Sequence, residues 1–271
     1  MTAVSDGVIA SRVLRRQVPY RVLLPAGYAD SLKNYSTLFL LHGLFGSFEN
    51  WTTLADVATF AEARKLIVVM PEGGDSWYTD AAVPDGDKYE SFLVSEFIPY
   101  IDGSYRTIPN RRGRGIAGQS MGGYGAMKFA LKYSDLFSFA GSMSGVLDAA
   151  DKTEDTPGAG WADLGPSIVR VFGEAGSRTR TENDLLQMVH ELARKRETDL
   201  PYLYFDCGLD DQFLPANQKF SDALYETTID HVYHELPGNH DWVYWNERSR
   251  QLLRIAENML AGPTGKLHAY Y

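Results

Sequence analysis

Short, nearly unbroken apolar runs alternate with helix-length stretches along most of this 271-residue chain. That alternation restricts the fold more than any other feature. Residues 37–42 (TLFLLH), 66–71 (LIVVMP), 113–118 (GRGIAG), 136–144 and 201–207 read as strands. A strand with one wet face alternates apolar and polar residues, whereas a continuous run belongs to a parallel strand covered on both sides. Between these runs, residues 50–64, 89–101, 121–133, 216–228 and 242–260 have helical character. The pattern predicts an α/β chain with a mostly parallel central sheet and helices on both faces. Residues 12–24 read as one or two opening strands, 231–236 as the last strand, and 72–88 as a loop rich in glycine, aspartate and aromatics.

Residues 148–200 break the rhythm. They open with a polar stretch containing glycine and proline, 148–165, and close with an amphipathic helix, 183–195, in which Leu185, Leu186, Val189 and Leu192 can share a face. We read this segment as a cap-like insertion over one end of the sheet, within a single domain spanning 1–271. The tail, 261–271, is expected to be loosely ordered.

Charge and cysteine content remove several classes of function. The formal net charge is -9, against the basic footprint that nucleic acid or an anionic membrane requires. The apolar runs are too short to span a bilayer. The single cysteine, Cys207, excludes an intramolecular disulfide. It reads as a small buried residue, with no electropositive partner to make it a nucleophile. No apolar segment of signal-peptide length occurs near the N-terminus, so a cytoplasmic address is the default expectation. A secreted protein whose signal had been removed would look the same.

Residues 118–122 (GQSMG) carry the pattern G-x-S-x-G between an apolar strand and a helix rich in small residues. A serine on such a sharp strand-to-helix turn projects its Oγ clear of the sheet, and the crowded turn demands glycine on either side. Ser120 is the candidate nucleophile. Residues 41–44 (LHGL) end a buried strand, where the following loop supplies an oxyanion donor, and Gly43 permits close backbone approach to a substrate. The amides of Leu44 and Met121 are the candidate donors, with His42 shaping the loop.

Of the histidines after Ser120, only His240, in PGNHD, lies in a loop between the last strand and the last helix. A general base must reach the serine from such a rim position. His231 and His234 fall in a strand at a spacing that places them on opposite faces, against a shared metal. The acid should follow the strand 201–207. Asp206 lies inside that strand, whereas Asp210 and Asp211 both lie in the loop, and spacing does not separate them. The order serine, acid, histidine is that of the α/β-hydrolase fold.

The motifs LHGLFGSFENW (41–51), GDSWYTD (74–80), GQSMGGYGAMKFAL (118–131), CGLDDQFL (207–214) and PGNHDWVYW (237–245) together resemble the esterase D-like family of α/β-hydrolases. That family includes tributyrin-type esterases, S-formylglutathione hydrolases and some feruloyl esterases. The resemblance runs from about residue 19 to about 260. It implies Asp211 as the acid beside Ser120 and His240, oxyanion amides from Leu44 and Met121, and Trp77 and Tyr78 near the acyl group. It also implies hydrolysis of small-molecule, short-chain acyl esters through an acyl-enzyme, with no metal and no cofactor. LHGLFGS departs from the serine and threonine–cysteine pattern of S-formylglutathione hydrolases and favours the tributyrin-like branch. Feruloyl esters, transfer to an alcohol acceptor, and a non-catalytic binding protein on the same fold are the alternatives. Assembly into a homo-oligomer is left open.

Overall fold

The computed structural model describes residues 3–153, 161–195 and 199–261. Among these residues the strands are β1 (Ala3–Ser11), β2 (Arg16–Leu24), β3 (Ser36–Leu41), β4 (Leu66–Pro71), β5 (Arg114–Gln119), β6 (Phe139–Met143), β7 (Tyr202–Gly208) and β8 (His231–Leu236). They form one sheet in the order β1-β2-β4-β3-β5-β6-β7-β8. β1 and β2 are antiparallel, as are β2 and β4, and every neighbouring pair from β4 to β8 is parallel. The helices are α1 (Asn50–Thr53), α2 (Val57–Ala61), α3 (Tyr89–Phe92), α4 (Ile98–Ser104), α5 (Met121–Lys132), α6 (Trp161–Phe172), α7 (Arg178–Asn183), α8 (Leu185–Lys195), α9 (Leu214–Glu226) and α10 (Trp242–Met259). This is the mostly parallel α/β sheet that the alternation implied, in the α/β-hydrolase arrangement that the order of the motifs implied. The chain runs outward from β3 to β4 and returns to β5 on the other side of β3. Such a reversal opens a crevice at the carboxyl ends of the strands, where ligands of α/β sheets bind.

The unbroken apolar runs are explained by burial on both faces. Leu38, Leu40, Val68 and Met70 point to one side, where Trp51 and Val57 of α1 and α2 and Leu252, Leu253 and Ala256 of α10 cover them. Phe39, Leu41, Ile67 and Val69 point to the other, against Phe92, Phe97, Ile101, Met127 and Phe220. Each such side chain removed from water contributes about 1.5–3 kcal/mol.

Four elements differ from the sequence-based expectation. The helix expected over 50–64 is two short helices, because the chain breaks to dock on α10: the Asp56 amide donates to Asn246 Oδ1 at 2.8 Å. The helix expected over 89–101 contains a π-helical stretch, Leu93–Phe97, which ends two residues before Pro99. Proline lacks an N–H and its ring crowds the carbonyl four residues back, so the ladder there widens. β1 was not foreseen. It pairs along its whole length with β2 at the edge of the sheet, with Val4, Asp6, Val8 and Ala10 exposed, and its mix of small, polar and apolar residues contains no long apolar run to mark it. Finally, α6 begins inside the stretch expected to be irregular, and it accommodates Pro166. Tertiary packing overrides local propensity there: Ile168, Val171 and Phe172 are buried in the core that also holds Trp77 and Tyr124. Residues 262–271, expected to be loosely ordered, lie outside the described residues.

The start of α5 sits hard against β3. A Cβ on Gly122 would stand 2.4 Å from the Leu41 carbonyl oxygen and 2.7 Å from that of His42. Gly122→Ala is therefore expected to destabilise the protein by about 1–3 kcal/mol, as overpacking does. Urea denaturation checks this, and an unchanged midpoint would contradict the contact.

Candidate active site

The turn at Ser120 is where β5 ends and α5 begins. Ser120 has φ 54° and ψ -118°, a conformation that costs an L-residue energy and persists only when its surroundings enforce it. Its amide donates to the Met143 carbonyl at 3.0 Å, and its own carbonyl accepts from Tyr124 and Val146. A Cβ on Gly118 would meet the Gly122 carbonyl carbon at 2.5 Å, which explains the glycine on each side of the serine. The hydroxyl is thereby aimed at the crevice.

His240 reaches Ser120 from the loop between β8 and α10. Its Nε2 lies 2.9 Å from Ser120 Oγ, and its Nδ1 lies 2.9 Å from Asp211 Oδ2. A carboxylate can only accept, so Nδ1 carries the proton and Nε2 is left to accept from the serine hydroxyl. The imidazole is held edge-on between Phe213 and Trp245, with ring centroids 4.8 and 4.9 Å away. The loops bearing the acid and the histidine meet closely: the Asp210 amide donates to the Gly238 carbonyl at 3.0 Å.

The three aspartates around β7 have different environments. The Asp211 side chain is fully buried, which works to raise its pKa, but the hydrogen bond and charge of His240 and the Phe213 amide hold it below the usual carboxylate range. Asp210 is exposed. Asp206 points into the core, where Tyr204, Tyr244 and Arg248 bond its oxygens and desolvation raises its pKa. Spacing left Asp210 and Asp211 equivalent, but only Asp211 faces the histidine. Cys207 is buried, and burial pushes its thiol pKa up, away from nucleophilic use.

The loop after β3 has one amide to spare. The Gly43 carbonyl accepts from His42 Nδ1 at 2.8 Å and from the Gly46 amide at 3.1 Å. His42 Nε2 in turn accepts from the Gly73 amide at 2.8 Å, so the ring is neutral. In a trans peptide the N–H opposes the C=O, so the Leu44 amide points away from these anchors. The next amide, Phe45, is taken by Asp75 Oδ1 at 2.8 Å. Among the described residues, neither the Leu44 amide nor that of Met121, at the first turn of α5, has a hydrogen-bond acceptor.

Ser120 and His240 open onto a cavity of about 370 Å³. Leu44, Phe45, Leu54, Leu164 and Trp242 give it apolar wall, and Asn50, Gln119, Asp163 and Gln212 give it polar wall. Trp77 and Tyr78 do not line it, contrary to the expectation that they stand beside the acyl group. Both are fully buried. Trp77 packs on Tyr124 and donates to Ser167 Oγ, and Tyr78 donates to the His42 carbonyl at 3.0 Å. Their role is to support the site from beneath. A larger hollow of about 510 Å³ lies at the opposite ends of β7 and β8, and it contains neither Ser120 nor His240. No group of three or more His, Cys, Asp or Glu side chains that could hold a metal occurs among the described residues, and no helix there is long and apolar enough to cross a membrane.

Sequence reasoning missed Asp75, Asp163, Gln212, Phe213 and Trp245. Asp75, Gln212, Phe213 and Trp245 stand inside the motifs above, so a signal was present, although Asp75 meets Phe45 only through folding of the loop after β4. Asp163, outside those motifs, reaches the cavity only through α6.

This fold and this constellation define a serine hydrolase of the α/β-hydrolase class. The family described as putative esterase matches residues 11–254. An acetyl esterase from Caldicellulosiruptor saccharolyticus is 30% identical over 250 residues, covering 88% of this chain and 91% of that protein. A fluorophosphonate-binding serine hydrolase of Staphylococcus aureus superposes with a TM-score of 0.84 at 26% identity, covering 95% of this chain and 99% of the other. A ferulic acid esterase superposes with a TM-score of 0.81 at 29% identity, covering 96% and 99%. The chain belongs to this esterase family, in its esterase D-like branch. It is a carboxylesterase that acts on small-molecule esters.

Proposed function

We propose that the protein hydrolyses short-chain acyl esters, with Ser120 as nucleophile, His240 as general base and acid, and Asp211 as the group that orients and stabilises the imidazolium. The observation that carries this reading is the hydrogen-bonded chain from Ser120 Oγ through His240 to Asp211, at 2.9 Å for each link. His240 Nε2 takes the proton as Ser120 Oγ attacks the ester carbonyl, and the amides of Leu44 and Met121 receive the negative charge that develops on its oxygen. His240 then passes the proton to the departing alcohol. A water deprotonated by His240 releases the carboxylic acid and regenerates the serine.

The modest volume of the cavity supports a small acyl group, as does the likeness to an acetyl esterase. The contribution of Asp163 and Leu164 of α6 to the wall supports residues 148–200 as a cap-like insertion of a single domain. Feruloyl esters are a second reading, favoured by the aromatic faces of Phe45 and Trp242 in the wall and by the likeness to a ferulic acid esterase.

A panel of p-nitrophenyl acetate, butyrate and octanoate, with methyl ferulate and S-formylglutathione, tests the assignment. We expect the highest kcat/KM on the acetate or butyrate. Preference for octanoate or for the thioester would overturn the short-chain reading, and preference for methyl ferulate would select the second.

A further inference from the structure

The loop after β4 connects the insertion to both sides of the proposed oxyanion hole. Trp77 and Tyr78, two consecutive aromatic residues, both have positive φ, at 52° and 50°. Such geometry is costly for bulky residues and persists only where neighbours impose it. Helix α6 supplies part of that constraint. Arg170 donates to the Asp75 carbonyl at 3.0 Å, and Ser167 Oγ accepts from Trp77 Nε1 at 2.9 Å. From the other side of the loop, the Trp77 amide lies 3.3 Å from Met121 Sδ, and the Asp75 carboxylate accepts from the Phe45 amide.

Phe45 is itself strained. Its φ is 60° and its side chain is 70% exposed, so neither packing nor a glycine backbone accounts for the conformation. Two bonds hold it: the Gly46 amide donates to the Gly43 carbonyl at 3.1 Å, closing a turn with Phe45 at its third position, and the Phe45 amide donates to Asp75 in a charge-assisted hydrogen bond. The peptide between Leu44 and Phe45 begins one residue after the spare Leu44 amide. Releasing Phe45 from the left-handed region would let that stretch relax and turn the Leu44 N–H from its aim.

We propose that Asp75 is a positioning residue for ester hydrolysis: by accepting from the Phe45 amide it holds the Leu44 N–H toward the developing oxyanion, and Arg170 of α6 holds Asp75 in place. The assignment rests on the reading of the Leu44 and Met121 amides as the oxyanion hole. The loop thus makes the geometry of that hole depend on how α6 is seated.

The test compares wild type, Asp75→Ala, Asp75→Asn, Phe45→Gly and the double variant Phe45→Gly/Asp75→Ala on p-nitrophenyl acetate. An arylboronic acid, which forms a tetrahedral adduct on the serine, serves as the second readout. Loss of an oxyanion donor costs about 10²–10³ in kcat, and a misaimed one costs less. Asp75→Ala should therefore lower kcat by about 10-fold, with KM within about twofold, and weaken boronate inhibition in parallel. Asp75→Asn retains an oxygen acceptor and should recover most of the loss. Glycine adopts φ 60° without strain, so removing Asp75 should cost much less in the Phe45→Gly background, a non-additivity that marks direct coupling.

Wild-type kcat in Asp75→Ala, or equal losses with and without Phe45→Gly, would overturn the proposal. Should Asp75→Ala not fold, Asp75→Asn and Phe45→Gly still decide it: the proposal requires Asp75→Asn to keep kcat within about threefold of wild type, and a larger loss rejects it. Failure of the wild type itself to be inhibited by the boronate would instead reject the underlying reading of Ser120 with the Leu44 and Met121 amides, and the role of Asp75 with it.

Discussion

Ser120→Ala is expected to lower kcat/KM for p-nitrophenyl acetate by roughly 10⁴- to 10⁶-fold, the loss that follows when the nucleophile of a hydrogen-bonded triad is removed. Alanine retains the Cβ and fits the same backbone, and among the described residues the Ser120 side chain's one hydrogen-bond partner is His240. The urea midpoint should therefore stay close to that of wild type. Residual activity comes from the oxyanion amides and from binding alone, so it should be insensitive to a second change at His240. A fluorophosphonate probe should label wild type and leave Ser120→Ala unlabelled. Turnover by Ser120→Ala within tenfold of wild type would reject Ser120 as the nucleophile.

Glu90→Gln is expected to remove about 3–5 kcal/mol of stability, because it leaves a buried ammonium without its counter-charge. Lys128, in the middle of α5, is fully buried. Its Nζ donates to Glu90 Oε2 at 2.7 Å, to the Tyr78 carbonyl at 2.6 Å and to Thr79 Oγ1 at 2.9 Å. The other oxygen of Glu90 accepts from Lys132 at 2.7 Å and from the Tyr133 hydroxyl at 2.7 Å. Burial works to raise the pKa of Glu90, yet these cations bring it from the ordinary 4.5 down to about 2. A carboxylate with a depressed folded-state pKa stabilises fully above its unfolded value and loses that contribution as it is protonated in the folded state. The stability due to Glu90 should therefore be intact above about pH 4.5 and decline as pH falls toward 2. In Glu90→Gln this part of the acid dependence should vanish. Glu90→Gln/Lys128→Met, which removes both charges, should be more stable than Glu90→Gln alone. Urea titrations across this pH range measure all three. An unchanged midpoint in Glu90→Gln at neutral pH would show that the pair contributes nothing.

This ion pair also bears on the site. Lys128 holds the Tyr78 carbonyl, and the Tyr78 hydroxyl holds the His42 carbonyl beside Gly43. The support beneath the oxyanion loop thus runs back into a charged cluster inside the core. The family resemblance implied that Trp77 and Tyr78 stand near the acyl group. They are instead the link between that cluster, α6 and the catalytic turn.

The sequence alone determined the fold class and singled out Ser120 and His240 as the candidate pair, because both follow from local rules. Apolar continuity marks strands covered on two faces, glycines mark a turn too crowded for side chains, and a histidine between the last strand and the last helix has only one end of the sheet to face. Order along the chain was enough to assign these features. Local rules left Asp210 and Asp211 equivalent, and the tertiary structure distinguishes them by the direction of one side chain toward His240. Tertiary structure also decided β1, whose pairing rather than hydrophobicity makes it a strand, and α6, whose packing outweighs Pro166. It alone brought Asp75 to Phe45 across 30 residues of sequence. That contact leaves no periodic or compositional trace, since a single hydrogen bond between two loops depends on where folding places them.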